Sequence, residues 1–193
     1  MQTQTIRLSL PSKGRLQDMA LSFLAQAGLP VFKPNPRQYQ AEIPALPELG
    51  VLFQRPGDIV VSVRQGSVNF GITGLDVIEE KRGDNGDILV LHDALGFGHC
   101  ALTLAVPETW DQAADLPALK AWSASMGRPL RVATKFPVLT ERFLNVEGIP
   151  HTLIAAEGTL ETAPTIGYAD VISDLVSSGQ TLKDNRLRAL PDG

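Results

Sequence analysis

Near the end of the chain, Asp170-Val-Ile-Ser-Asp174 leads through Leu175 and Val176 into Ser177-Ser-Gly-Gln-Thr181. A strand that finishes on an acid and turns through small hydroxyl residues into a helix brings a carboxylate and backbone N–H groups to one spot. Amides and hydroxyls there suit a phosphate monoester, because a helix N-terminus offers donors and a favourable dipole, and the carboxylate suits sugar hydroxyls. An N-capped loop with no ligand uses the same residues.

Four further stretches stand where a strand gives way to a helix. Ser12-Lys-Gly-Arg15 sets two cations at a glycine turn, the place where α/β proteins bind ligands. Arg55-Pro-Gly-Asp58 and Gly71-Ile-Thr-Gly-Leu-Asp76 form the next. Gly71 and Gly74 allow a close backbone approach, and Asp58 and Asp76 serve equally as helix N-terminal acids. Glu157-Gly-Thr-Leu-Glu161-Thr-Ala-Pro164 is a turn rich in donors. His92, His99 and His151 are scattered without metal-ligand spacing, and Cys100 lies in an apolar run where packing is expected. No G-x-S-x-G elbow, Walker A sequence or G-x-G-x-x-G fingerprint is present.

The elements that must carry these clusters alternate short apolar runs with segments of helical period, the pattern of an α/β protein with mostly parallel strands. Strands are expected at Thr5–Leu10, Tyr39–Ile43, Val51–Gln54, Asn69–Thr73, Ile88–Leu91, His99–Val106, Leu130–Thr134, Thr152–Ala156 and Ala169–Asp174. Leu16, Met19, Ala20, Phe23, Leu24 and Ala27 share one helical face that Gly28 ends. Further helices are expected from Pro56 through Val63, over Leu75–Lys81 and Leu116–Ser123, from Pro137, and within Gly158–Ile166. Leu95-Gly-Phe-Gly98 reads as a crossover between two lobes.

The 193 residues, 44% of them apolar, suffice for a real core. Seventeen Lys and Arg against 21 Asp and Glu give a net charge of −4, which removes a broad nucleic-acid footprint and requires any phosphate site to concentrate its cations locally. A single cysteine excludes an intramolecular disulfide framework, and Gln2, Gln4, Arg7 and Pro11 interrupt any signal-peptide core. No run approaches the roughly 18 apolar residues of a membrane span. The expectation is a cytoplasmic protein with neither membrane nor nucleic-acid partners.

Taken in order, seven blocks resemble the ATP phosphoribosyltransferases that open histidine biosynthesis. They are Leu10-Pro-Ser-Lys-Gly-Arg-Leu16, Arg55-Pro-Gly-Asp-Ile59, Phe70-Gly-Ile-Thr-Gly-Leu-Asp76, Leu95-Gly-Phe-Gly-His-Cys100, Ala133-Thr-Lys-Phe-Pro137, Glu157-Gly-Thr-Leu-Glu-Thr-Ala-Pro164 and Gly167 through Leu182. Phe136, Thr159 and Ser178 depart from the family's usual tyrosine, serine and threonine.

The resemblance implies an α/β, two-lobed, periplasmic-binding-protein-like (type II) fold with a cleft active site. Lobe I is expected to hold residues 1–95 with 183–193, and lobe II residues 96–182. It implies the short form of the enzyme, a homo-oligomer that also pairs with a histidyl-tRNA-synthetase-like regulatory subunit. A further strand after Leu190, returning to the first lobe, is usual in the family; the sequence stops at Gly193, either because it is trimmed or because that strand is absent.

The implied reaction joins N1 of ATP to C1 of phosphoribosyl pyrophosphate and releases pyrophosphate. It needs alignment and electrostatics rather than a strong base, and Mg²⁺ suits its phosphates. On this resemblance Asp174 holds the ribose hydroxyls, and Ser177, Ser178, Gly179, Gln180 and Thr181 hold the 5′-phosphate. Lys13 and the turn at Gly158 and Thr159 face pyrophosphate, and Arg15, Arg55 and Asp76, with Glu161 beside them, face ATP. A non-catalytic small-molecule binding protein of the same fold is the alternative. A type I phosphoribosyltransferase is disfavoured, because its motif pairs adjacent acids where Ser173 precedes Asp174 here.

Overall fold

The computed structural model describes residues 6–35, 37–83, 85–156, 158–176 and 179–193. The chain divides into two units, Met1–Gly98 and His99–Gly193.

Unit 1 is built on β1 (Ile6–Pro11), α1 (Arg15–Gln26), β2 (Gln40–Glu42), β3 (Leu49–Gln54), α2 (Pro56–Arg64), β4 (Phe70–Gly71) and α3 (Leu75–Lys81). Its sheet runs β2-β3-β1-β4, with β1 parallel to both β3 and β4, and β2 antiparallel at the edge. Alternation along β1 turns Leu8 and Leu10 to a core shared with Leu24 of α1, Ile43, Val51 and Phe53. Ser9 points the other way, toward the face that carries α2. Gly28, at φ +78°, ends α1 in the left-handed conformation that glycine adopts freely.

Unit 2 contains β5 (Ala101–Pro107), α4 (Leu116–Ser125), β6 (Leu130–Thr134), α5 (Pro137–Glu147), β7 (His151–Ala155), α6 (Ala163–Ile166), β8 (Val171–Val176), α7 (Gln180–Asp184) and β9 (Leu187–Ala189). The sheet order is β7-β6-β8-β5-β9. β6 is parallel to β7 and β8, whereas β5 is antiparallel to β8 and β9. Each face of the sheet has its own core. Leu119 and Leu144 of α4 and α5 pack on Val132 and Val171, and Ala163 and Leu182 of α6 and α7 pack with Leu160 on Ala133 and Ile172. Neighbouring residues of β6 and β8 are thus buried on opposite faces, as expected for central strands covered on both sides.

Four expectations are corrected. Residues 183–193 belong to unit 2 rather than to the first lobe: β9 pairs with β5, and Leu187 and Leu190 are buried in that unit's cores. The boundary falls after Gly98 rather than Leu95. Residues 88–91 form no strand, because the neighbouring β4 is only two residues long; Leu89 and Leu91 are exposed, and the segment lines an apolar cavity of about 630 Å³ with Val63 and Phe70. Cys100 is exposed just before β5, not packed inside it.

One ionic cluster fixes the start of β8 to the start of β6. The buried Asp170 carboxylate receives Arg128 Nη1 and Nη2 at 2.6 and 2.9 Å, Arg131 Nη2 at 2.8 Å and the Arg131 backbone N–H at 2.9 Å. Burial alone would raise its pKa, but the hydrogen bonds from Arg128 and Arg131 outweigh it and hold the carboxyl well below the usual carboxylate range. A depressed folded-state pKa contributes stability that is full above the unfolded value, about 4, and disappears as pH falls through the folded value. Both guanidiniums are more than a third exposed, which tempers the magnitude. Asp170→Asn is expected to lower stability at pH 7 by about 2 kcal/mol and to flatten the loss of stability below pH ~4. Urea unfolding of parent and variant at a series of pH values checks both effects.

Candidate active site

In unit 1 the parallel register sets the ends of β1, β3 and β4 side by side. Pro11 pairs with Gln54, Ser9 with Gly71, and the Ser12 N–H donates to the Gln54 carbonyl at 2.8 Å. The residues that follow, Lys13 and Arg15 after β1, Arg55 after β3, and Asp76 after β4, therefore gather at one edge. Gly14 at φ +77° makes the turn from β1 into α1. Below this edge the buried Ser9 Oγ donates to Gln54 Oε1 at 2.7 Å, and Gln54 Nε2 donates to Ser62 Oγ of α2 at 2.9 Å. The Thr73 hydroxyl donates to the Pro56 carbonyl at 3.3 Å, joining the second and third turns.

Lys13, Arg15 and Arg55 are exposed and make no ion pair among the described residues, so their charges are available to a polyanion. Asp76 differs. It is half-buried, and burial pushes its pKa up against the lowering effect of the Asp76 and Val77 backbone N–H groups that it accepts. The carboxylate folds back over Gly74 so closely that a Cβ there would overlap it.

Unit 2 repeats this geometry. Thr134 pairs with Ala155 on one side and with Ser173 on the other, so β6 and β7 end together beside Ser173, whereas β8, paired with β5, runs on through Asp174 to Val176 instead of finishing on the acid as expected. Lys135 and Asp174, with the turn after β7 that holds Gly158, Thr159 and Glu161, are collected at this edge. Asp174 Oδ1 accepts the Leu175 N–H at 2.8 Å, and Asp174 Oδ2 faces Lys135 Nζ at 3.5 Å. Gly158 and Thr159 are exposed and Glu161 is half-buried. Gly179, at φ +72°, opens α7, where Gln180 and Thr181 are exposed. Ser177 and Ser178 lie outside the described residues. Asp170 stands at the opposite end of β8, so the two acids of one motif face different partners.

Among the described residues no group of three or more His, Cys, Asp and Glu side chains could enclose a metal. A Mg²⁺ ion carried mainly by substrate phosphates asks only one or two carboxylates of the protein, and Asp174 fits that requirement. No helix of the described residues is long and apolar enough to cross a membrane.

A profile described as HisG: ATP phosphoribosyltransferase matches residues 55–192. ATP phosphoribosyltransferase of Mesorhizobium japonicum is 40% identical over 195 residues, covering 97% of this chain and 84% of that protein. The chain belongs to the ATP phosphoribosyltransferase family. ATP phosphoribosyltransferase 1, chloroplastic, of Arabidopsis thaliana is 45% identical and aligns with 97% of this chain, which spans about half (47%) of that relative's length. Among solved structures, the ATP phosphoribosyl transferase (HisG:HisZ) complex from Thermotoga maritima matches with a TM-score of 0.67 at 26% identity, over 96% of this chain and 81% of that one. A probable amino-acid ABC transporter extracellular-binding protein of Bacillus subtilis matches at TM-score 0.54 and 13% identity, over 97% of this chain and 78% of that one, a likeness of fold. The two-lobed type II α/β fold is common to both.

Within this family fold, the structure brings the sequence candidates together as two sets, Lys13, Arg15, Arg55 and Asp76 in unit 1 and Gly158, Thr159, Glu161, Asp174, Gly179, Gln180 and Thr181 in unit 2. Lys135 lies in the block Ala133-Thr-Lys-Phe-Pro137 but has no role among the sequence-based expectations; its place between a strand and the helix that Pro137 opens is the signal that points to it. The edge in unit 1 depends on close packing of β4, where a Cβ on Gly71 would overlap the buried Ile59 of α2. Gly71→Ala is therefore expected to cost about 1–3 kcal/mol of stability through overpacking, read as a lowered urea midpoint with an unchanged slope.

Proposed function

We propose that this chain catalyses the first step of histidine biosynthesis, joining N1 of ATP's adenine to C1 of phosphoribosyl pyrophosphate with release of pyrophosphate. Family membership supports the reaction, and the observation that carries the site is the meeting of Asp174 on β8 with Lys135 after β6, beside the turn that follows β7. The non-catalytic binding-protein reading is not favoured, since the likeness to transport proteins is one of fold whereas the family match extends through the sequence.

Adenine N1 carries a free lone pair, so the protein need not remove a proton before attack. As the N1–C1 bond forms, the C1–O bond to pyrophosphate breaks and its electron pair leaves with the pyrophosphate. The residues' work is alignment and the stabilisation of charge. Asp174 accepts hydrogen bonds from the ribose hydroxyls and stands near the positive charge that develops on the sugar. Ser177, Ser178, Gly179, Gln180 and Thr181 receive the 5′-phosphate. Gly158, Thr159 and Lys13 receive pyrophosphate, and Arg15, Arg55, Asp76 and Glu161 serve ATP. Mg²⁺, when bound, neutralises phosphate charge, with Asp174 as its protein carboxylate.

We also read the chain as a short-form catalytic subunit of a cytoplasmic, oligomeric enzyme that works with a histidyl-tRNA-synthetase-like partner. The structural match to a complex named HisG:HisZ supports this. Adding such a partner to the purified chain is expected to raise turnover and to confer inhibition by histidine. Full, histidine-sensitive activity of the chain alone would contradict it.

The direct test of the reaction is formation of phosphoribosyl-ATP and pyrophosphate from the two substrates, with and without that partner; no product under either condition would contradict the assignment. The site is tested by Asp174→Asn, which is expected to weaken phosphoribosyl pyrophosphate binding about tenfold or more while leaving the melting temperature near that of the parent. Titration calorimetry checks it, and unchanged binding would remove Asp174 from the site.

A further inference from the structure

Three hydroxyls are buried at the edge that carries Asp174: Thr134 and Thr140 at 0% exposure and Ser173 at 1%. They form a directed chain. The Phe136 backbone N–H donates to Thr134 Oγ1 at 2.9 Å, Thr134 and Thr140 Oγ1 lie 3.0 Å apart, and the Thr140 hydroxyl donates to Ser173 Oγ at 2.9 Å. Because the single proton of Thr140 is spent on Ser173, the proton between the two threonines must come from Thr134. Each link therefore has one sense, and removing the middle oxygen leaves a buried donor and a buried acceptor without partners at once.

Thr140 lies on α5, Thr134 closes β6 and Ser173 immediately precedes Asp174 on β8. The chain thus grips the backbone on both sides of Lys135, at Thr134 and Phe136, and also the residue before Asp174. Its two strand members are already register partners. Valine would fill the position of Thr140 with nearly the same volume, so packing alone does not call for a hydroxyl. A buried polar chain in which every oxygen has a hydrogen-bond partner instead selects one arrangement of the groups that it joins.

We propose that Thr140 is a positioning residue that sets the Asp174 carboxylate against Lys135 and so prepares the phosphoribosyl site; this rests on the reading of Asp174 given above. Thr140 touches no substrate. It acts through Ser173 on one side and through Thr134 and the Phe136 N–H on the other. Losing its hydroxyl should disturb binding at the unit 2 edge and leave ATP binding, assigned mainly to unit 1, unaffected.

The test titrates phosphoribosyl pyrophosphate with Mg²⁺, and separately ATP, into the full chain and its Thr140→Val, Thr140→Ser, Ser173→Ala and Asp174→Asn variants. Thr140→Val is expected to bind phosphoribosyl pyrophosphate about tenfold more weakly and ATP within about twofold of the parent, and Thr140→Ser should restore the first value. Parent-like binding by Thr140→Val, equal loss for both substrates, or failure of Thr140→Ser to restore binding would overturn the proposal. If Thr140→Val does not fold, Ser173→Ala interrupts the same chain at its last acceptor, and unchanged phosphoribosyl pyrophosphate binding there overturns it equally. Asp174→Asn separates the two claims: unchanged binding in that variant refutes the site and this proposal together, whereas loss in Asp174→Asn with none in Thr140→Val refutes only the role of Thr140.

Discussion

Parallel pairing, of β1 with β3 and β4 and of β6 with β7 and β8, is the constraint on which every candidate ligand group depends. Parallel neighbours finish at the same edge, so the turns that follow them are brought together however far apart they lie in sequence. Thr134 and Ser173 are 39 residues apart yet adjacent in the sheet, and that one register places Lys135 beside Asp174. The apolar faces hold the register. Val132 and Val171 are buried on one side and Ala133 and Ile172 on the other, so a slip by one residue would exchange the two cores.

Charge is distributed unevenly along β8. At its beginning, two arginines and a backbone N–H are committed to Asp170, and the carboxylate is held ionised by them. Further along, Asp174 has, among the described residues, one backbone donor and a lysine at the long separation of 3.5 Å. The first arrangement is a clamp, with its hydrogen bonds already made. The second leaves a carboxylate and a cation able to exchange partners, which suits a sugar hydroxyl and a phosphate. In a protein of net charge −4, Lys13, Arg15 and Arg55, in no ion pair among the described residues, supply at the unit 1 edge the local positive charge that the overall composition lacks.

Much of this was legible in the sequence, because hydrophobic period and turn chemistry are local. The strand Leu130–Thr134 and the helix Leu75–Lys81 have the bounds that their patterns indicate, and Pro56 and Pro137 open α2 and α5. Residues 12–15 and 55–58 follow strand ends as expected, whereas Asp174 lies inside β8, which pairing with β5 carries on to Val176. Pairing partners were less legible. Residues 88–91 have the composition of a strand, but a strand also needs an edge to join, and β4 offers two residues. The last residues read as a return to the first unit, but Leu187 and Leu190 found their burial beside β5. The Thr134, Thr140 and Ser173 chain was invisible for the same reason, since its members are ordinary core hydroxyls until the register brings them together.

The central claim is that phosphoribosyl pyrophosphate binds where β6 and β7 end beside Asp174 of β8. Hydrogen exchange of the full chain, followed by mass spectrometry with and without this ligand and Mg²⁺, tests it most directly. The account predicts ligand-dependent protection in peptides covering Lys135–Thr140, Gly158–Glu161 and Asp174–Thr181, and none in those covering Gly167–Asp170 or Arg128–Arg131 at the opposite end of the same strands. Protection confined to the Asp170 end, or to unit 1 alone, would contradict it.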